Sequence, residues 1–325
     1  MFSVNNTALK NQQGLTPLLV VATIAIIISI GVIVSQSEVK NIFLNQQEIA
    51  ETPIATPTTT PLPTITPTPT AAPSAKPTAT ASATPKPTPT PQATLQGPPG
   101  TGFSRVTVGT SRGNFTASIV TLDGGAKMVT DSASDGNCDN DCPTKSLADF
   151  VSQNGGFAGI NGTYFCPDTY PECAGKKNSF DFPVYNSRLN KWINEDKLFW
   201  NDRSVIYQDG TGMHMLRNAN SFNGSLTAGI VNYPGLLDGG NIIVSNDGQQ
   251  AKVGSKGTKG GIGFGSGKIF LVIANNVDVV DFAEVFKAIG ATHAINLDGG
   301  GSSALFHGGY KVGPGRALPN AIIFK

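Results

Sequence analysis

The sequence predicts an α+β fold, a strand-rich mixed sheet with a few helices, in the part of the 325-residue chain that follows about residue 100. Three observations carry this reading. Short β-branched or alternating runs recur beyond Phe103, glycine pairs punctuate them, and only two segments there show a persuasive helical period. Ahead of that domain the composition predicts one transmembrane helix and then a disordered Pro/Thr stalk.

The strand runs are "SRVTVGT", "FTASIVTL", "RSVIYQD", "KIFLVIA" and "NAIIFK". Each is four to eight residues of β-branched, aromatic or alternating character, the length and composition of a strand. The pairs Gly239-Gly240 and Gly308-Gly309 separate such runs, as turn glycines do.

The clearer helix is "DFAEVFKAIG", Asp281 to Gly290. Phe282, Val285, Phe286 and Ile289 form one apolar stripe, Asp278 is a candidate N-cap, and Gly290 is a natural stop. An earlier segment, "LADFVSQNGGFAGIN", repeats the plan: Ala148, Gly155, Ile160 and Asn161 keep the offsets of Ala283, Gly290, Ile295 and Asn296. Both copies end a strand in Ile-Asn and enter a glycine-containing turn, "INGTYF" and "INLDGGGSS". If the two strands lie side by side, both turns open at one end of a sheet, where ligands often bind.

Residues 18–34, "LLVVATIAIIISIGVIV", are apolar and uncharged, close to the ~20 residues a bilayer-spanning helix needs. The run exceeds the usual apolar region of a signal peptide and is followed by a poor small-x-small pattern, so it reads as a retained signal-anchor behind a cytoplasmic tail of residues 1–17. Residues 35–99 are rich in Thr-Pro repeats. From Thr52 on they contain no acid or aromatic residue, so no core can form, and the segment reads as an extended surface stalk. Residues 100–325 are then an extracytoplasmic domain of a single-pass, membrane-anchored protein at the cell surface.

All four cysteines, Cys138, Cys142, Cys166 and Cys173, lie in that domain. In an exported domain they suggest two disulfides of undetermined pairing; a four-thiolate zinc site is the rival, with Cys166-x6-Cys173 wide for it. The formal net charge is +1 with no basic block in the folded part, so nucleic acid is not an expected partner.

The stretch "AINLDGGGSSALFHGG", Ala294 to Gly309, concentrates the chemistry. It lacks the G-x-S-x-G nucleophile elbow, and the chain contains no Gly-x4-Gly-Lys-Ser/Thr loop. "GIGFGSGK", Gly261 to Lys268, is misplaced for a dinucleotide fingerprint, and His214, His293 and His307 are isolated. Asp298 is distinguished by its place, after an apolar strand and before flexible backbone, where a carboxylate can be a base, a nucleophile, a ligand for sugar hydroxyls or a turn cap. Gly299, Gly300 and Gly301 can present bare N–H groups to an anion, and Ser302 and Ser303 add hydroxyl donors. A divalent cation on Asp298 stays open; no cofactor is expected.

"INLDGGGSSAL", Ile295 to Leu305, together with "GINGTYF", Gly159 to Phe165, resembles the phosphodiester glycosidase family, and "RALPNAIIF", Arg316 to Phe324, is similar to its closing segment. One departure is "KGGIG", Lys259 to Gly263, where the family commonly has Arg-Thr-Ala-Ile-Gly; lysine keeps the charge and loses the bidentate grip. The resemblance implies a hydrolase that cleaves a sugar-1-phosphodiester or related glycosidic bond in envelope or exopolysaccharide glycans. It makes Asp298 the catalytic candidate. Asn161, Gly162, Asn296, Gly299 to Gly301, Ser302 and Ser303 become substrate-binding candidates, with Lys259 and Arg316 as charge partners of the phosphodiester. A second carboxylate is unassigned, with Glu195, Asp196 and Asp181 as guesses. The alternative is a non-catalytic glycan-binding module on a stalk, using surface aromatics such as Trp192 and Trp200. Asn114, Asn161 and Asn223 match the N-glycosylation pattern.

Overall fold

The computed structural model describes residues 94–95, 97–199, 203–247 and 251–325. The chain divides into two units, residues 1–83 and 84–325, and the described residues all belong to the second. The expected membrane span and nearly all of the stalk therefore lie outside the described residues. Among the described residues no helix is long and apolar enough to cross a membrane.

The folded unit is α+β, built on three sheets. The largest has eight strands, in the order Thr94–Leu95, Gly102–Thr110, Gly113–Asp123, Lys268–Val277, Gly257–Gly265, His293–Leu297, Gly235–Asp238 and Asn241–Ile242. A second runs Lys191–Ile193, Val184–Asn186, Ala228–Asn232, Ser204–Asp209 and Gly212–Leu216. The third runs Tyr310–Val312, Leu305–His307, Ala158–Asn161, Asn320–Phe324 and Met128–Ser132. All pairings are antiparallel except Thr94–Leu95, which lies parallel to Thr107–Val108. This short strand sits ahead of the expected domain start at residue 100: Leu95 packs against the core and Gly97 N donates to Ala288 O at 3.1 Å.

Strand periodicity explains the layers, since alternate side chains leave a strand on opposite faces. In Lys268–Val277, Ile269, Leu271 and Ile273 enter a central core shared by all three sheets, with Ile160, Ile230, Ile295 and Ile322. Phe270, Val272 and Ala274 of the same strand face the other way, into a second core beneath the Val279–Ala288 helix. In Asn320–Phe324, Ile322 and Phe324 join the central core while Ala321 and Ile323 meet the Leu147–Gln153 helix.

Both expected helices form. The second begins at Val279, two residues before the expected start, because Asp278 caps it at once in a reciprocal box with Asp281. It closes before Gly290, whose φ of +89° ends the turn. Its apolar stripe packs on a strand rich in glycine. A Cβ at Gly261 would lie 2.8 Å from Phe282, and one at Gly263 2.8 Å from Phe286, so the missing side chains let the helix approach the sheet. "GIGFGSGK" is thus a central strand and its hairpin turn, with Ser266 and Gly267 both at positive φ.

The cysteines pair as near neighbours, Cys138–Cys142 and Cys166–Cys173, and none is free, which excludes the four-thiolate zinc reading. The strands Ala158–Asn161 and His293–Leu297, the second running one residue past its Ile-Asn pair, do not lie side by side: they belong to different sheets, one pairing with Leu305–His307 and Asn320–Phe324, the other with Gly257–Gly265 and Gly235–Asp238. Their turns meet nonetheless.

Candidate functional site

Leu297 is fully buried at the end of its strand, and the chain leaves the sheet at Asp298. Three bonds fix this residue. Its N–H donates to Gly162 O at 3.0 Å, its carbonyl accepts from Asn161 Nδ2 at 2.8 Å, and its Oδ1 accepts from Gly299 N at 2.8 Å. The two turns singled out in the sequence are therefore one hydrogen-bonded unit.

The three glycines serve different needs. At Gly299 a Cβ would lie 2.5 Å from Thr258 O, so backbone passes backbone there. Gly300 has φ +55°, a conformation glycine adopts without penalty. At Gly301 a Cβ would lie 2.5 Å from Arg316 Nη2. A single 3-10 turn, Gly300–Ser302, follows, with Ser302 N donating to Gly299 O.

Behind this loop lies a set of buried asparagines at strand ends, Asn161, Asn232, Asn296 and Asn320. A neutral amide carries both donor and acceptor, so it can tie two main-chain segments without burying charge. Asn161 holds Asp298 O through Nδ2 and accepts from Ala304 N at 3.1 Å. Asn320 accepts from Thr163 N at 2.9 Å, and Asn232 Nδ2 donates to Asn296 O at 2.8 Å. Asn296 Nδ2 donates to Tyr164 Oη at 2.6 Å and to Leu297 O at 2.8 Å.

In front of the loop is a cleft of about 680 Å³, walled by Asp298, Gly299, Gly300, Gly301, Ser302 and Arg316. Tyr164, Arg203, Tyr233 and the segment Ser255 to Lys259 line it as well. A further wall is the disulfide-closed loop with Tyr170 and Glu172. Burial pushes the Tyr164 phenol well above its ordinary pKa, the nearby Asp298 charge adding to the rise while the Asn296 donor opposes it, so it is protonated at neutral pH.

The cations differ in commitment. Lys259 is buried with Nζ donating to Ser255 O at 3.0 Å; burial lowers its pKa, against the pull of Asp278. It braces the 255–259 segment. Lys256 Nζ stands 3.4 Å from Asp281, and the Arg203 guanidinium lies 4.5 Å from the Tyr233 ring centroid. Arg316 has no carboxylate within ion-pair distance among the described residues, and its guanidinium lies over the Tyr170 ring at 4.9 Å.

The structure thus gathers Asp298, Gly299 to Gly301, Ser302, Lys259 and Arg316 on the cleft wall, and places Asn161, Gly162, Asn296 and Ser303 behind it. Asn161 is completely buried, which also rules it out as a glycosylated residue in this fold. Of the guessed second acids, Asp181 borders the cleft beside Lys197 at 2.7 Å, while Glu195 and Asp196 are exposed away from it. Trp192 packs against Tyr185 and Phe222, and Trp200 lies outside the described residues. His214, His293 and His307 do not line the cleft. Among the described residues no three His, Cys, Asp or Glu side chains cluster as metal ligands.

Sequence reasoning missed Tyr164, Tyr170, Glu172, Arg203 and Tyr233. Tyr164 stood inside "INGTYF", and the short Cys166 to Cys173 interval marked Tyr170 and Glu172 as a constrained loop; Arg203 and Tyr233 carried no local signal.

Three solved structures align with part of the chain. The catalytic domain of zebrafish N-acetylglucosamine-1-phosphodiester alpha-N-acetylglucosaminidase, auto-inhibited by its pro-peptide, aligns at 16% identity over 68% of this chain and 81% of that chain, with a TM-score of 0.52. That likeness concerns the fold. A hypothetical protein from Synechocystis gives 14% identity and a TM-score of 0.49 over 68% of this chain; the alignment spans 61% of that protein's length. A putative exported protein from Burkholderia pseudomallei gives 11% identity and 0.46 over 65% of this chain and 74% of that chain. No curated protein sequence matches the chain. The phosphodiester glycosidase family model, however, matches residues 154–325, just over half of the sequence and including both turns, the glycine loop and Arg316. The chain therefore belongs to the phosphodiester glycosidase family.

Proposed function

We propose that this domain hydrolyses a sugar-1-phosphodiester or a closely related glycosidic bond, with Asp298 as the carboxylate that acts at the anomeric carbon. The observation that carries this reading is the convergence of Asp298, the glycine loop and Arg316 on one wall of one cleft. Water adds its hydroxyl to the anomeric carbon and gives up a proton, while the bond to the phosphate oxygen breaks and its electron pair leaves with a phosphomonoester. Such a leaving group is weakly basic, so the reaction depends less on a strong general acid than ordinary glycoside hydrolysis does.

In this account Arg316, the Gly300 and Gly301 N–H groups and Ser302 receive the phosphate oxygens, and the neutral Tyr164 hydroxyl is a donor at the cleft floor. Asn161 and Asn296 act from behind, by fixing Asp298 and Tyr164. The natural substrate is a glycan phosphodiester of the envelope or of exopolysaccharide. The domain is held outside the cytoplasm by residues 18–34, with residues 35–99 as spacer; the apolar run, the Thr-Pro composition and the two disulfides support this placement.

The test is incubation of the full chain with a panel of sugar-1-phosphodiesters, reading free sugar and phosphomonoester together. Release of both in equal amounts is expected. Glycan binding without release from any diester would make the domain a binding module instead. Added protease freeing the domain from intact cells would test its placement.

A further inference from the structure

We propose that Tyr170 is the positioning residue that holds Arg316 ready as an anion fork, and that the Cys166–Cys173 disulfide keeps Tyr170 in place. This rests on the functional reading above only for the identity of the anion as a phosphate of the substrate. The geometry stands on its own.

Arg316 is placed by two neighbours. Its N–H donates to Gly301 O at 3.0 Å, and Nη2 lies so near Gly301 that a Cβ there would be 2.5 Å away, so the guanidinium rests on bare backbone. Its Cζ lies 4.9 Å from the Tyr170 ring centroid, and Nη2 donates to Tyr170 Oη at 3.4 Å. A cation over an aromatic face is attracted by the ring, and apart from the Nη2 bond to Tyr170 Oη its N–H donors keep their directions in the guanidinium plane. Lys256 is engaged by Asp281 and Lys259 by Ser255 O, whereas Arg316 has no carboxylate within ion-pair distance among the described residues. Its charge faces a neutral ring that attracts it without neutralising it, so an incoming anion has no carboxylate to displace.

Tyr170 is 37% exposed at the mouth of the cleft. Its loop is short and tied: Tyr170 N donates to Pro167 O at 3.1 Å, Cys173 N to Tyr170 O at 2.9 Å, and the disulfide joins the two ends across a separation of seven residues. Opening that bond restores conformational freedom to the segment and removes the ring from Arg316 for part of the time.

The experiment measures binding of inorganic phosphate to the full chain by calorimetry, so it needs no turnover. Arg316→Ala should abolish binding, Tyr170→Ala should weaken it about fivefold, and Tyr170→Phe, which keeps the ring, should stay within about twofold of the parent. The Cys166→Ser, Cys173→Ser double variant should match Tyr170→Ala, with a melting curve to confirm that it folds. For any diester the protein hydrolyses, Tyr170→Ala should raise KM and leave kcat nearly unchanged. Phosphate binding by Tyr170→Ala equal to that of the parent would overturn the proposal, as would absence of binding by the parent. Binding that follows this pattern in a protein that hydrolyses no diester would sink the functional reading and leave the anion fork standing.

Discussion

Replacing Asn161 by alanine separates a residue that builds the site from one that touches substrate. The side chain is fully buried, and its amide satisfies Asp298 O at 2.8 Å and Ala304 N at 3.1 Å. Truncation removes the bond that Asn161 makes to each main-chain group, at about 1–3 kcal/mol each, so about 2–6 kcal/mol in all. For a folded unit of this size each kcal/mol lowers Tm by about 2–4 °C, which sets the expected fall at roughly 4–24 °C. Asn161→Asp is the sharper companion. A carboxylate can still accept from Ala304 N, but it cannot donate to Asp298 O and confronts that oxygen with a buried negative charge. The assay is a melting curve with steady-state kinetics below the transition. Both variants should lose thermal stability, and surviving activity should fall in kcat because Asp298 has moved. An Asn161→Ala variant that melts like the parent and suffers only in KM would refute the reasoning and return Asn161 to substrate contact.

Other consequences follow from packing and charge. Asp281 is buried, which by itself would raise its pKa, yet the Arg112 hydrogen bond at 2.7 Å, the Asp278 N–H and Lys256 hold it below the ordinary value. A depressed carboxylate adds stability that is present above its unfolded pKa and lost as pH falls through the folded one, so Asp281→Asn should lower Tm at pH 7 and the gap should close below about pH 4. Gly263→Ala sets a methyl 2.8 Å from both His293 O and Phe286, and denaturant melts should show a loss of about 1–3 kcal/mol. Gly300→Ala, at φ +55°, should cost about 1 kcal/mol in the same assay, with reduced kcat because the N–H groups beside Asp298 shift.

What could be read in the sequence was whatever depends on local pattern. The Asp278 cap, the Phe282 to Ile289 stripe and the turns at Gly239-Gly240 and Gly308-Gly309 each have their cause within about ten residues, and each appears in the structure. The central strand Gly257–Gly265 was not legible, because its glycines look like breakers until the helix that needs their empty side is in view. The same holds at the site. Asp298 and its glycines are contiguous, so their chemistry is visible in the text, and family resemblance brought Arg316 to them. Asn232 and Asn320 acquire meaning only when strands from different sheets meet, and Arg203 and Tyr233 only when their segments reach the cleft. Lys259 was read by its charge, yet a backbone carbonyl and burial determine where that charge sits.

The central claim is that Asp298 performs chemistry in a cleft that is otherwise built to bind. Its most direct test compares the full chain with Asp298→Asn, a replacement that can keep an acceptor for Gly299 N while removing the charge. Both are offered the sugar-1-phosphodiester that the parent hydrolyses best, and binding and release are measured on the same samples. The variant should fold and bind the intact diester within about tenfold of the parent, while kcat falls by about a thousandfold or more. A folded Asp298→Asn variant that turns over the diester at the parental rate would contradict it.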